Sequence, residues 1–468
     1  MNLLIIGGGP GGYETAIRAA QMGATVTLVE KESLGGTCLN VGCIPTKALI
    51  HSADLYNEVV KDAAKQGVVC ENVTLDFQAV QARKQKVVSQ LVNGVGSLMK
   101  AYGITVKKGM AVFTAKDTVQ VRSAEGTEDL PFDKCIIASG SVPSVVPIPG
   151  HDLDGVVDST GALSFSEVPK SLAIIGGGVI GIEIGHAYAR FGTKVTVIEM
   201  LPEILMNLDK DLVAVQRRNM RRAKIDVKTS SAVQSIEKTE EGLKVNVKDS
   251  NGKEFSVTAE KVLMCVGRRP ATDDMGLDEI GVERDRRRIL VDENFKTSVD
   301  NIYAIGDCIG GIMLAHVASA EGGACLEGIM GKERTVNLSV IPSCVYTQPE
   351  LAGVGLTEQE CEKQAEENGL EYEIGKFPLM GNGKSLIIGE QSGLVKVIAE
   401  KATGKVLGIH MAGPNATEII MEGALAIAKG CTVQDVLDTV HAHPTVSESV
   451  KEAAHAVFGS AVNMPPAK

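Results

Sequence analysis

At 468 residues the chain is too long for one compact core and should divide into three or four domains. A net charge of −11 with no basic stripe argues against a nucleic-acid partner. With 51 glycines, no Trp and only 3 % aromatics, the composition suits an α/β enzyme rich in strand-to-helix turns better than a β-sandwich with an aromatic core.

The first apolar run, Leu3-Leu4-Ile5-Ile6, lacks a basic leader and enters a glycine turn, so it reads as a strand and not a signal peptide. No run approaches the ~18 apolar residues of a membrane span, so a cytoplasmic protein without membrane association is expected. Residues 2–30 then spell a strand, a glycine turn, a helix and a second strand ending in Glu30. Residues 171–199 repeat that order with the same internal spacing and end in Glu199. This is the logic of a dinucleotide-binding βαβ unit. Gly7 and Gly176 permit the tight turn, while Gly9 and Gly178 let a pyrophosphate approach a helix N-terminus. Gly12 and Gly181 allow close helix–strand packing, and Glu30 and Glu199 can bind a ribose diol. Two copies imply two dinucleotides.

Between the copies stands Gly35-Gly36-Thr37-Cys38-Leu39-Asn40-Val41-Gly42-Cys43-Ile44-Pro45-Thr46-Lys47. A dithiol and its disulfide differ by the two electrons that a flavin or nicotinamide carries. The first copy, next to the cysteines, is therefore assigned FAD and the second the nicotinamide. Glu199 would repel a 2′-phosphate and Met200-Leu201-Pro202 offers no arginine for one, which favours NAD over NADP. Cysteines at i and i+5 of an ideal helix do not meet, so the chain must bend, and Gly42 is the place for it. Pro45 can open a helix with Ala48, Leu49, Ala53, Leu55 and Val59 on its apolar face. The helix dipole and Lys47 would then favour a thiolate at Cys43. The other eight cysteines lack metal-ligand spacing and read as small core residues.

A second helix is expected over residues 80–102, then strands from Val106 to Ser139 with turn residues at 124–127. Cys135-Ile136-Ile137 is a buried strand leading into Ala138-Ser139-Gly140, and Val262 to Gly267 is its counterpart in the second unit. Leu243, Val245 and Val247 alternate before an Asn251-Gly252 hairpin turn. The run Glu283 to Arg288 interleaves acids with arginines and reads as a solvated turn. Asn301 to Asp307 is a buried strand ending in Gly-Asp, whose acid can hold a sugar or ribityl hydroxyl. From 341, strands (Leu394–Ala399, Val406–Met411) followed by helices (417–430, 446–457) form an α+β module. The expected division is 1–150, 151–271, 272–340 returning to the first unit, and 341–468. Thiol chemistry needs a base near neutral pH, and His441 and His443 both qualify, with Glu448 placed to orient an imidazole.

These motifs together resemble the flavin-dependent pyridine nucleotide-disulfide oxidoreductases, and within them the branch acting on dihydrolipoamide. The resemblance covers essentially the whole chain. It implies two Rossmann-like domains and a C-terminal dimerisation domain, with FAD and NAD as cofactors. It implies that Cys38 is the interchange thiol and Cys43 the thiolate facing the flavin. His443, paired with Glu448 and given by the other subunit of a homodimer, is the implied base, and Glu183 pairs with Lys47. Asp307, Met313, Leu314, Ala315 and His316, with Ala111, Ser139 and Gly140, are the implied FAD contacts. Val233 and Gly267 join Glu183 and Glu199 on the NAD side. The implied reaction is oxidation of protein-bound dihydrolipoamide with reduction of NAD⁺, within a 2-oxoacid dehydrogenase or glycine-cleavage complex. The partner would be a lipoyl-bearing protein, since no lipoyl domain precedes Met1. Departures from the family pattern are Ser139, Ala352-Gly353 and Val317-Ala318-Ser319. A glutathione-type reductase using NADPH is the nearest rival, which Glu199 opposes; a redox-inert FAD scaffold is the non-enzymatic one.

Overall fold

A computed structural model describes residues 1–465. Two five-stranded parallel sheets form its N-terminal two thirds. The first runs in the order 302–304, 134–137, 2–6, 25–30, 105–108, so a strand from beyond residue 300 closes the sheet that Asn2–Ile6 centres. The second runs 226–228, 194–198, 171–175, 261–264, 156–157. The repeat is literal in three dimensions. Asn2 pairs with Thr25 and Ser171 with Lys194, and the helices Pro10–Gln21 and Val179–Phe191 follow equivalent turns. Both faces of each central strand are covered, as parallel sheets require, so Leu3, Ile5, Leu172 and Ile174 are almost fully buried. The α/β class expected from composition is thus the fold observed.

Each parallel unit carries a three-stranded antiparallel sheet, 110–131 in the first and 231–259 in the second. Asn251-Gly252 makes the hairpin between Gly242–Asp249 and Glu254–Ala259. Strand Ser141–Pro143 pairs with Arg268–Pro270 and stitches the two units together. The C-terminal module is a five-stranded antiparallel sheet packed on Ala416–Ala428 and Glu448–Val457.

Several element boundaries differ from expectation. The helix after the cysteines starts at Cys43 itself, with Pro45 third in line, and runs to Asn57. Leu55 points outward and Val59 lies beyond the helix in a π-turn. The second helix begins earlier, at Phe77, because Asp76 caps it by accepting from Ala79 N–H. The strand before Asp307 is only Ile302–Ala304, and Gly306–Ile309 is a 3₁₀ turn. A short helix, Val433–Asp438, held by a Thr432–Asp435 capping box, was not anticipated.

One buried ionic cluster joins the second unit to the C-terminal module. Lys396 is fully buried, and its ammonium lies 2.6 Å from carboxylate oxygens of Asp209, Asp211 and Glu358. The ammonium offsets one of the three negative charges; Lys376, 2.8 Å from Asp211, and Lys210, 2.9 Å from Glu358, answer the other two, which leaves the fully buried Asp209 dependent on Lys396. Lys396→Met is therefore expected to cost roughly 3–5 kcal/mol, because it strands the buried Asp209 carboxylate without a counter-charge. Thermal unfolding of the variant against the parent checks this.

Candidate active site

Cys38 sits on a six-residue helix, Gly36–Val41, and Cys43 is the first residue of the next, Cys43–Asn57. Between them Gly42 takes φ −135°, ψ −111°. A Cβ there would lie 2.8 Å from Thr37 O, so the bend that the cysteine spacing demands admits only glycine. The bend sets the two thiols beside each other, so that each shifts the other's titration. Cys43 gains most: the hydrogen bond from Cys38 and the nearby Lys47 ammonium outweigh burial and lower its pKa to about 7, with the helix N-terminus acting in the same sense. Cys38 moves the other way, held far above the ordinary thiol range by its bond to Cys43 and by burial. In the dithiol form the Cys43 thiolate is present above pH ~7 and lost below it. Thiolate ultraviolet absorbance against pH is expected to show a single step near pH 7 that Cys43→Ser removes.

Lys47 lies one turn along the same helix. Its ammonium is 2.6 Å from Glu183 Oε2 and 4.5 Å above the Tyr346 ring. Glu183 is almost fully buried, and its other oxygen accepts from Tyr346 N–H at 2.9 Å. Cysteine helix, second nucleotide turn and C-terminal module therefore meet at one ion pair.

The first glycine turn is a cradle. Gly7 has φ +108°, and a Cβ on it would fall 2.1 Å from Ala138 O, which places Ser139-Gly140 beside the turn. A Cβ on Gly36 would be 2.7 Å from Gly9 Cα, and Ala318 is packed against both Gly11 and Gly306. Met313, Leu314, Ala315 and His316, which begin the Ala315–Ile329 helix, thus come to the same place as Gly7–Gly12 and Asp307. Glu30 accepts from Gly8 N–H and Glu32 N–H, both at 2.6 Å, so its carboxylate is fixed at the strand end. Ala111 has its side chain in the core with Val29, leaving only its backbone to face a ligand. His316 is exposed and bonds Pro342 O at 3.0 Å. In the second turn Glu199 likewise accepts from Gly177 and Leu201 N–H groups. Gly178 and Gly267 have open space where a Cβ would stand, room that suits a pyrophosphate at the Val179–Phe191 helix N-terminus. Val233 is half-buried and packs in the same core cluster as Ile198 and Val266. Both cradles fit a dinucleotide.

His443 Nδ1 is 2.9 Å from Glu448 Oε1, and the ring is 78 % exposed. Glu448 Oε2 accepts from Thr445 N–H, and against desolvation these two bonds hold the carboxyl below its ordinary range. His441 differs. Its side chain is buried, with Nδ1 on Thr439 O and Nε2 on Glu422. Both of its nitrogens are engaged, whereas among the described residues His443 Nε2 has no partner. No hydrogen bond joins His443 to either cysteine of its own chain among the described residues.

Three residues of the centre, Arg268, Ser141 and Tyr346, escaped the sequence reading. Arg268 Nε donates to Ser141 Oγ at 2.7 Å, and that hydroxyl donates to Asp307. Tyr346 closes over Lys47. Arg268 follows Gly267 directly, a signal available in the sequence; nothing local marked Tyr346.

Residues 1–322 match the model of the pyridine nucleotide-disulphide oxidoreductase family, and residues 341–454 match that of its dimerisation domain. The chain belongs to the pyridine nucleotide-disulphide oxidoreductases. The dihydrolipoyl dehydrogenase of Geobacillus stearothermophilus is 43% identical over 463 residues, spanning 98% of this chain and 97% of that protein. The mitochondrial dihydrolipoyl dehydrogenase of Pisum sativum is 43% identical over 469 residues, spanning 99% and 92%. Among solved structures, LpdA of Mycobacterium tuberculosis superposes with a TM-score of 0.89 at 25% identity, covering 97% of this chain and 99% of that one. Within the family, the paired thiols and the two glycine cradles are therefore parts of one oxidoreductase, and the C-terminal sheet is its dimerisation module.

Proposed function

We propose that this oxidoreductase is a dihydrolipoyl dehydrogenase, a homodimer that oxidises protein-bound dihydrolipoamide and reduces NAD⁺. The observation that carries the reading is the thiol pair beside the half-buried Lys47–Glu183 ion pair. Its near-full-length relatives of that activity support it. Residues 1–150 and 272–340 form the FAD unit, 151–271 the NAD unit, and residues from 341 the dimerisation unit.

Bound FAD supplies the two-electron relay between the thiol pair and NAD⁺. The remaining chemistry belongs to side chains. His443 of the partner subunit takes the proton of one dihydrolipoamide thiol at Nε2, and Glu448 stabilises the resulting imidazolium through Nδ1. The substrate thiolate attacks Cys38 of the Cys38–Cys43 disulfide; a sulfur–sulfur bond forms as another breaks, and Cys43 leaves as a thiolate. The second substrate thiol then displaces Cys38, its proton passing to the departing Cys38 sulfur as the lipoyl disulfide closes. Lys47, held by Glu183, stabilises the Cys43 thiolate. Ser141 and Arg268 orient Asp307 toward the FAD cradle. The partner is a lipoyl-bearing protein of a 2-oxoacid dehydrogenase or glycine-cleavage complex. No helix among the described residues is long and apolar enough to cross a membrane. A cytoplasmic setting, where thiols stay reduced, suits the reading.

Steady-state NAD⁺ reduction by dihydrolipoamide, run beside glutathione disulfide with NADPH, tests it. Rapid NADH formation supports the assignment, and preference for glutathione and NADPH replaces it. Glu199→Gln is expected to narrow the NAD⁺ over NADP⁺ preference about tenfold or more, since a like-charge contact costs several kcal/mol. The ratio of kcat/KM for the two nucleotides reads it.

A further inference from the structure

The Cys43–Asn57 helix lies along the Val179–Phe191 helix, and the seam has two polar rungs. The first is Lys47–Glu183. The second lies seven residues on, about 10 Å along the axis. There Asp54 Oδ1 is 2.9 Å from Arg190 Nε and 3.2 Å from His186 Nε2. Arg190 Nε donates to His186 Nε2 at 2.9 Å. Arg190 and Asp54 are mostly covered, and His186 is only 3 % exposed. An N–H aimed at Nε2 requires the neutral ring, and burial, the largest influence on His186, favours the same form. From the C-terminal module Glu390 faces Arg190 and Asp54, while Glu183 faces His186 from its own helix.

Between the rungs the seam is apolar: Ile50 and Ala53 share one core cluster with Ile182 and Ala187. Such packing is non-directional and sets the register of one helix on the other less sharply than polar contacts do. The Lys47–Glu183 hydrogen bond is directional, and the Asp54–Arg190 ion pair adds a second fixed point, so the two rungs together set both rotation and axial position. With the first rung alone, a single charged contact ties the two helices.

We propose that Asp54, Arg190 and His186 are positioning residues: they hold the cysteine helix in register on the second nucleotide helix, and so keep the Lys47 ammonium where it favours the Cys43 thiolate. The inference deepens the functional reading, since it assumes that this thiolate is the working one. None of the three touches a thiol; they act through Lys47.

The sign of one substitution decides the matter. Asp54→Asn keeps the shape of the side chain and removes a negative charge. Acting through space, the loss of a carboxylate would lower the Cys43 pKa. Acting through lost register, Asp54→Asn weakens the Lys47 effect and raises it. The measurement is the pH dependence of iodoacetamide alkylation at Cys43 in the reduced holoenzyme, with the labelled site read by peptide fragmentation. Asp54→Asn is expected to move the midpoint up by about one unit, the lower end of what a nearby opposite charge confers. In a Lys47→Met background it is expected to move it no further. A downward shift, no shift, or the same upward shift without Lys47 would each overturn the proposal. Arg190→Lys keeps the charge but loses the Nε contacts, and it is expected to shift the midpoint the same way; it serves if Asp54→Asn does not fold. The titration needs no turnover. Absence of lipoamide activity would therefore sink the functional reading and leave this test standing.

Discussion

His443→Gln is expected to lower kcat for dihydrolipoamide oxidation by about 10²–10⁴-fold, the usual worth of a positioned general base. The ring is 78 % exposed in one chain and among the described residues bonds only Glu448, so the variant should unfold at the parent's temperature. A stability defect and a catalytic defect are thus separable at this residue. His441→Gln is expected to behave in the opposite way. That ring is buried, bridges Thr439 and Glu422, and has no free nitrogen for a substrate proton. Its loss should touch stability more than chemistry. The pair of variants, read by steady-state kinetics and thermal unfolding, distinguishes the two histidines of the same short loop.

Cys38→Ser is expected to abolish dihydrolipoamide-dependent NAD⁺ reduction, because a serine oxygen cannot form the mixed disulfide. Cys43 keeps its place at the helix N-terminus beside Lys47, so the remaining thiol should still titrate as a thiolate. In Cys38→Ala, which lacks the hydroxyl that serine would still donate, the Cys43 pKa should rise toward the ordinary thiol range, since the hydrogen bond from Cys38 is the largest influence lowering it. Loss of turnover with a surviving thiol titration, upshifted in Cys38→Ala, is the predicted pattern. It assigns interchange to Cys38 and charge storage to Cys43.

Much of this architecture was legible because the βαβ turn tolerates few residues. Gly7 and Gly176 occupy φ +108° and +112°, where a side chain would strike backbone, so the sequence must show glycine at that spacing. The Gly42 bend is legible for the same steric reason. Helix starts were less so: Pro45 suits any position of a first turn, whose N–H groups lack helical partners, and the start at Cys43 depends on Gly42's own conformation. The centre's remaining parts come from far away in the chain. Tyr346 reaches Glu183 and Lys47 only after the C-terminal module docks. Lys396 gathers Asp209, Asp211 and Glu358 from two units, and no local pattern marks a lysine for burial. The second rung at Asp54 is likewise a product of helix packing, invisible until the two helices lie side by side.

The central claim is that electrons enter through one pair of thiols. Its most direct test is anaerobic reduction of the oxidised holoenzyme by one equivalent of dihydrolipoamide, followed by alkylation and site mapping. Two new thiols are expected, one at Cys38 and one at Cys43; when the reaction is stopped early, Cys38 carries the substrate as a mixed disulfide and Cys43 alone is alkylated. New thiols at any other cysteine, or none at all, would contradict it.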